Sequence, residues 1–474
     1  MSLTLSGLAR IPACHMVAIP YPGRGHINPI MNACTILASK GLAITFVVTE
    51  EWLSLIGSGS APNISNSRFQ SIPNVIPSEL NRGSDFTSFV EAVCKKMEAP
   101  IDQLLDRIEP PATCIIADST SGWAVAIGNR RNIPVTLLWP MAPSLFSLRY
   151  HYHLLVAHGH LPVPAEKFSE RKDEIITYIP GIPAIRFGDL PSIYTRKNEI
   201  LKRVLEAFSW LTKAQFILFT SFYELQPHVI DTLRGIFPIP IYPLGPSIRF
   251  MSLQDTGTPS EASNGNPAVD YFKWLDSQPK NSVLYVSLGS FLPMSATQMH
   301  EIAMGLHISG VRYLWVARGE ASNLQETCCE MGLVVPWCDQ LRVLCHSSVA
   351  GFLTHCGWNS ILEAIYAGVP MLTFPLFVDQ HTNSLLIVED WKIGLRVKEE
   401  SGVENMVGRD EISHLVRRLI DGDEGKQLRE RAEVLQRSCQ RAIEKDGSTF
   451  KNLQAFIGDL ISISNLETSA ILDR

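Results

Sequence analysis

The sequence predicts an α/β protein built from two Rossmann-like, doubly wound domains that face each other across a cleft. Three observations predict it. Near the start, a buried-type strand (His15 to Pro20), a glycine-rich turn (Tyr21 to Gly25), a helix with Ile27, Ile30, Met31, Cys34 and Leu37 on one face, and a second strand (Ala43 to Thr49) make a βαβ unit. Strand–helix alternation starts again at Val283 to Leu288. Between the two runs, Phe250 to Pro267 is polar and rich in Ser, Thr and Gly, the composition of a linker. A chain of 474 residues has room for about two to three domains. The expected division is residues 1–246, a linker at 247–267, a second domain at 268–457, and a tail at 458–474 that crosses back to the first domain.

In chain order, residues 52–90 are rich in Ser, Pro and Asn and read as loops with short elements. A helix is expected from about 87 to 108, stopped by Pro110-Pro111. Thr113 to Ala117 is a strand closing on Asp118, and a helix runs from Ser121 to Arg131. Val135 to Trp139 and Lys213 to Ser221 are further strands. In the second half, a helix is expected over Ala268 to Ser277, a strand over Val283 to Leu288, and a helix over Ser295 to Ser309 with Ser295 and Gln298 as a capping box. Arg312 to Ala317 is another strand.

Composition narrows the function. Apolar residues make up 46% and charged residues 19%, as in ordinary soluble domains. The net charge of −6, with no basic block, argues against nucleic acid as a partner. No apolar run is long enough for a transmembrane helix, so no integral membrane association is expected. The 10 cysteines are scattered without a C-x-x-C pair, which fits a reduced compartment and a cytoplasmic location. A monomer is expected.

Chemistry concentrates in a 44-residue stretch, Trp337 to Gln380. Val349 to Thr354 is a strand, His355-Cys356-Gly357-Trp358-Asn359-Ser360 a tight turn, and an apolar helix begins at Ile361. Ser360 and Glu363 have the spacing of a capping box, and Gly368 and Pro370 end the helix. A helix start of this kind offers N–H donors and partial positive charge to a phosphate. Around it stand an aromatic face (Trp337), Asp339, hydrogen-bonding groups (Gln340, Glu363) and an acid–amide pair (Asp379, Gln380). A nucleotide-sugar needs this set: a stack for the base, acceptors for ribose, donors for the diphosphate and polar groups for sugar hydroxyls.

The spacing W-x-x-Q, H, HCGWNS-x-x-E, G-V-P and DQ resembles the signature box of plant family 1 UDP-glycosyltransferases. The resemblance extends more loosely over the N-terminal half. It implies the two-domain fold called GT-B and transfer of glucose from UDP-glucose to a hydroxyl of a small lipophilic acceptor such as a flavonoid, terpenoid, phenolic or hormone. It implies that Trp337 stacks on uracil and the Cys338 backbone reads its edge. Gln340 and Glu363 would hold ribose, and His355, Gly357, Asn359, Ser360 and the Ser290 loop the diphosphate. Trp358, Asp379 and Gln380 would hold the sugar, the closing Gln favouring glucose. Pro140 departs from the hydroxyl residue common at that place in the family, so Ser144 or water must substitute.

His26 sits in the first turn of the first helix, at the carboxyl end of a strand, where α/β folds place ligands. The segment Gly25-His26-Ile27-Asn28-Pro29 resembles the family's catalytic segment, which makes His26 the general base. Asp118 closes a strand on the same rim and would orient the imidazole, as an Asp does in catalytic triads. Its competing reading is an N-cap for the helix that follows. Phe86, Phe89, Trp139, Phe146 and Phe187 are expected to line the acceptor pocket.

Other readings remain open. Gly23, Gly25 and Glu50 supply part of a dinucleotide fingerprint, the basis for a nicotinamide-dependent oxidoreductase, but Asn28 stands at the third glycine position. A nucleotide-sugar-binding relative without turnover is a further alternative. His151, His153, His158 and His160 cluster locally, yet lie at a helix end without a carboxylate nearby, so no metal is expected. On the family reading, transfer inverts the anomeric centre and requires neither metal nor other cofactor.

Overall fold

Short apolar runs bounded by turn residues become strands buried on both faces, and the amphipathic stretches between them become covering helices. The computed structural model describes residues 14–56, 66–79, 82–83, 85–195, 199–248, 270–289, 294–317, 331–398 and 406–472. Its first half runs β1 (His15–Ile19), α1 (Arg24–Ser39), β2 (Ala43–Thr49), α2 (Glu50–Ile56), β3 (Ser67–Ile72), α3 (Phe86–Lys96), α4 (Glu98–Leu105), β4 (Cys114–Asp118), α5 (Gly122–Arg131), β5 (Val135–Trp139) and α6 (Pro143–Tyr150). Then follow α7 (Tyr152–Ala157), α8 (Ala165–Arg171), the hairpin β6 (Ile175–Ile176) and β7 (Ile185–Arg186), α9 (Ser192–Thr195), α10 (Glu199–Phe208), β8 (Phe216–Phe219), α11 (Pro227–Ile236) and β9 (Ile241–Pro243).

The second half runs α12 (Tyr271–Asp276), β10 (Val283–Ser287), α13 (Ala296–Ser309), β11 (Arg312–Val316), β12 (Gly332–Val335), α14 (Gln340–Leu344), β13 (Val349–Thr354), α15 (Trp358–Ala367), β14 (Met371–Thr373), α16 (Gln380–Leu385) and β15 (Gly394–Arg396). The helices α17 (Arg409–Ile420), α18 (Asp423–Ile443) and α19 (Ser448–Leu472) complete it.

Both sheets are parallel and doubly wound. The first has the order β3-β2-β1-β4-β5-β8-β9, and the second β12-β11-β10-β13-β14-β15. In each, the winding reverses beside the first strand of the domain, between β1 and β4 and between β10 and β13. Such switch points leave a crevice at the strands' carboxyl ends, where open α/β sheets bind ligands. His26 follows β1 and Asp118 ends β4; Gly289 and His355 follow β10 and β13.

The last helix does not stay with the second domain. Leu453, Phe456 and Leu460 of α19 pack into the core formed by Met16, Ala18, Leu218 and Tyr242. Asn452 Nδ2 donates to the Pro243 carbonyl at 3.0 Å, and Ser448 Oγ donates to Glu224 at 2.8 Å. The expected boundary at 457 thus falls inside a helix that is already seated on the first sheet.

Several local expectations change. The helix expected over 87–108 is two helices meeting at Met97. Pro100 sits in the first turn of α4 and has no N–H to return to Lys96, so the first helix cannot run through it. Residues 67–72 add an edge strand that the loop reading of 52–90 did not specify. The helix expected from Ala268 begins at Tyr271, where Asp270 accepts from Lys273 N. The linker at 250–267 lies outside the described residues.

Candidate active site

At the first switch point, α1 begins directly after a turn that places Gly23 as N-cap, and His26 follows in its first turn. His26 Nδ1 donates to Asp118 Oδ2 at 2.7 Å. Asp118 is fully buried, and its other oxygen accepts from Thr120 N at 2.9 Å and Thr120 Oγ1 at 2.6 Å. The carboxylate therefore orients the ring instead of capping α5, whose N-cap Ser121 makes no side-chain cap bond. With Nδ1 committed as donor, Nε2 carries the lone pair, the arrangement a general base requires. The His26 side chain keeps 27% of its exposure, so that nitrogen can meet a substrate. Tyr21 packs against the ring at 4.9 Å.

Gly23 serves packing at this point. A Cβ there would overlap the Arg82 guanidinium, which donates to the Pro22 carbonyl and is itself buried. The glycine that a dinucleotide fingerprint would use for close approach of a pyrophosphate is used here for an arginine.

The second switch point is built differently. Gly289 has φ +83°, a conformation that an L side chain resists, and a Cβ there would sit 3.0 Å from the His355 ring. On the other side, a Cβ at Gly357 would come within 2.5 Å of His355 Nε2. The imidazole is clasped between two glycines, and burial pushes its pKa down to about 4. It is neutral at physiological pH. Ser290, expected to assist here, lies outside the described residues.

The helix beyond it, α15, has Gly357 as N-cap and no side-chain cap. The expected capping box is absent. Ser360 stands inside the first turn, where Gln340 Nε2 donates to its Oγ at 3.0 Å and to Glu363 Oε2 at 2.7 Å. Ser360 and Glu363 thus serve a contact between helices and leave the helix start open. First-turn N–H groups without a cap form an anion site. Trp358 packs its indole into the core near Trp391, so its main chain is what it offers the cleft.

Around this helix start, Trp337 is 54% exposed, a large aromatic face available for stacking. Cys338 is buried, its thiol 3.3 Å from the Tyr285 hydroxyl, which also donates to Gln340 Oε1 at 3.2 Å. Asp339 caps α14 through Arg342 N. Gln340 and Glu363 therefore share one hydrogen-bonded edge, three residues along the chain from Trp337 at Gln340.

The loop before α16 closes the site. Gln380 Oε1 accepts from Leu376 N at 2.7 Å and Phe377 N at 2.9 Å. Val378 has φ +54°, strained for a β-branched residue. It is held by the first domain, since Ser192 N donates to the Val378 carbonyl and Val378 N donates to Ser192 Oγ, both at 2.9 Å. Asn383 Nδ2 ties Asp379 at 2.9 Å to the Cys356 carbonyl at 3.0 Å. Burial raises the Asp379 carboxyl above its ordinary range.

Two contacts bring the switch points face to face. Asn359 Nδ2 donates to the Gly25 carbonyl at 3.0 Å, one residue from His26. Phe86 meets Phe377 edge-on at 6.0 Å. Of the other aromatic residues expected in the acceptor pocket, Trp139 and Phe146 pack together at 5.0 Å in the first core, and Phe89 packs against Tyr21 at 6.2 Å. Phe187 is not brought there. It lies in a separate core with Phe168 and under Arg171. The histidine cluster splits in two. His151 bonds to Ser147 with His153 beside it at 6.1 Å. His158 stacks on Tyr178, and His160 bonds to its hydroxyl and lies 3.6 Å from Glu174, a carboxylate not expected there. Among the described residues no group of three His, Cys, Asp or Glu is placed to hold a metal ion.

Thr120, Asn383, Ser192 and Tyr285 support the site without having been singled out in the sequence. For Thr120 a signal existed, an Asp-x-Thr spacing that favours a side-chain turn. For the others none did, because their partners are remote in the chain.

Residues 196–409 match the family model described as UDP-glucoronosyl and UDP-glucosyl transferase. The chain is 45% identical over 450 residues to UDP-glycosyltransferase 87A1 of Arabidopsis thaliana, covering 94% of this chain and 100% of that one. It is 34% identical over 486 residues to the 7-deoxyloganetin glucosyltransferase of Catharanthus roseus, covering 96% and 98%. Among solved structures, UGT2 of Phytolacca americana, complexed with UDP-2fluoro-glucose and pterostilbene, aligns with a TM-score of 0.76 at 27% identity over 94% of this chain and all of that one.

Proposed function

Because this chain belongs to the plant family 1 UDP-glycosyltransferases, with their GT-B fold, we propose that it transfers glucose from UDP-glucose to a hydroxyl of a small lipophilic plant metabolite, inverting the anomeric centre without a metal. One observation carries the reading: the His26–Asp118 pair, at 2.7 Å, faces the uncapped start of α15 across the Asn359–Gly25 contact. His26 Nε2 takes the acceptor proton as the oxygen attacks the sugar. Asp118 holds the ring and balances its charge. General-base assistance of this kind contributes about 10²–10⁴ in rate. The departing diphosphate meets the α15 N–H groups and the neutral His355, fixed dipoles that need no reorganisation. Attack opposite the leaving group turns an α-linked donor into a β-glucoside.

On this reading Trp337 and Cys338 take the uracil, Gln340 and Glu363 the ribose, and Asp379 and Gln380 the sugar. The first domain with α19 binds the acceptor, and the chain works as a monomer in the cytoplasm. The experiment is a library of phenolic, flavonoid, terpenoid and hormone acceptors with UDP-glucose, read by mass spectrometry for an added hexose. The anomeric proton coupling of the product should report a β-linkage, and a chelator should leave the rate unchanged. An α-linked product, or loss of rate with the chelator, removes the corresponding part of the proposal. Gln380→His should move the donor preference from glucose toward galactose by several-fold; an unchanged ratio removes Gln380 as selector.

A further inference from the structure

The acceptor side of the cleft holds a buried cation that stands outside any ion pair among the described residues. Arg149, in the last turn of α6, is 5% exposed. Its guanidinium lies over the Trp139 ring, 4.9 Å from the centroid, with the Phe208 ring at 6.0 Å. Its Nε is sealed from solvent without an acceptor. Arg186 differs, since it pairs with Asp189, as does Arg396 of the second sheet. An unpaired charge in such a place is costly, and an arginine edge matches a carboxylate in two parallel hydrogen bonds.

The surroundings bring this cation toward the proposed reacting centre. Tyr194, whose hydroxyl is sealed from solvent, lies against Arg149. The guanidinium acts on that hydroxyl through its charge and as a hydrogen-bond donor, a neutral contact that leaves the positive charge uncompensated. Two residues earlier, Ser192 grips Val378, the neighbour of Asp379. The Asp379 carboxyl in turn feels the charges of both Arg149 and His26. Arg149 and His26 thus both lie within electrostatic reach of Asp379, and the guanidinium rests on the Trp139 ring at the edge of the first core.

We infer that Arg149 anchors a carboxylate of the acceptor, so that the preferred acceptors are hydroxylated carboxylic acids. The inference rests on the proposed glucosyl transfer. In the step, the acceptor hydroxyl proton goes to His26 Nε2, and its oxygen forms the bond to C1 of glucose. The bond from C1 to the diphosphate oxygen breaks, and its electron pair leaves with UDP. The acceptor carboxylate stays ionised on Arg149 and does not react. A sugar carboxylate is the other source of the same chemistry, but Asp379 would repel a uronate at the sugar position.

The test is a panel of hydroxybenzoic, hydroxycinnamic and hydroxylated terpenoid acids, each beside its methyl ester, with UDP-glucose as donor. The wild-type protein should prefer acid over ester by about 10- to 100-fold in kcat/KM, the range of a charge-assisted bond. Arg149→Gln should bring that ratio near one without a comparable rise in KM for UDP-glucose, and Arg149→Lys should keep part of it. Thermal melting checks that the variants fold; if Arg149→Gln does not, the wild-type ratio and Arg149→Lys still decide. Esters turned over as well as acids would overturn the inference while leaving glucosyl transfer intact. A fall confined to UDP-glucuronate as donor in Arg149→Gln would move the carboxylate to the sugar and overturn it too. Glucosylation of neutral acceptors with no turnover of any acid would likewise overturn it. No hexose transfer to any acceptor would instead sink the proposed function itself.

Discussion

The two domains place a histidine at the same topological position and give it opposite surroundings. After β1, His26 faces a buried carboxylate and keeps an open nitrogen. After β13, His355 is enclosed between Gly289 and Gly357, and burial holds it neutral. One can receive a proton; the other can only donate or accept a hydrogen bond beside the open start of α15. A doubly wound sheet supplies the crevice, and the neighbours of the side chain decide the chemistry.

The largest effect should come from removing the open histidine. His26→Ala should lower kcat by about 10²–10⁴-fold while leaving UDP affinity, measured by calorimetry, nearly as it was. Equal loss of both would make His26 structural and break the contrast. Asp118→Asn should cost on the order of 10²-fold, because the ring loses its orientation and the balancing charge. A rate close to wild type would show that His26 needs no partner.

At the second switch point the effects are on binding. Gly289→Ala forces a side chain into the left-handed region and against His355, at roughly 1–2 kcal/mol for the backbone alone. UDP should bind about 10-fold more weakly. Unchanged titrations would mean that the His355 ring gives way freely.

The smallest effect is on stability. His355, pushed down to about 4, stays neutral in the folded protein while the unfolded chain takes up a proton below about pH 6.5. Folding stability is therefore lost as pH falls from about 6.5 to 4, by about 2 kcal/mol at pH 5 for this group. His381, also held to about 4 by burial, adds a limb of the same sign. His355→Asn should flatten the difference between urea midpoints at pH 7 and pH 5. An identical slope would make His355 an ordinary exposed histidine.

What could be read in the sequence follows from where information is local. The dense spacing from Trp337 to Gln380 and the Gly25–Pro29 segment named the family, because each group there is fixed by its neighbours in the chain. Strands β1, β2, β4, β5, β8, β10, β11 and β13 were plain for the same reason, apolar runs between turn residues, whereas the short strands β9, β12, β14 and β15 were not singled out. Ser360 and Glu363 misled because a local motif competes with a remote one. Gln340, 20 residues away from Ser360, takes the hydroxyl that would have closed the helix start. Strand β3 (SRFQSI) has only two apolar residues, Phe69 and Ile72, and lies at a sheet edge, so its signal is weaker than that of the inner strands. Ser192 and Asn383 hold the loop before α16 only through the fold, and no spacing announces them. Arg149 is a single residue in an apolar helix, silent until its burial is known.

The crossing of α19 has a consequence for how the protein comes into being. Phe456 and Leu460 complete the hydrophobic face behind β1 and β8. When the ribosome has delivered β9, that face is still bare, and it stays so until α19 has emerged. The first domain is thus finished by a segment 209 residues further along the chain, and a fragment of residues 1–246 should aggregate where one that includes α19 does not.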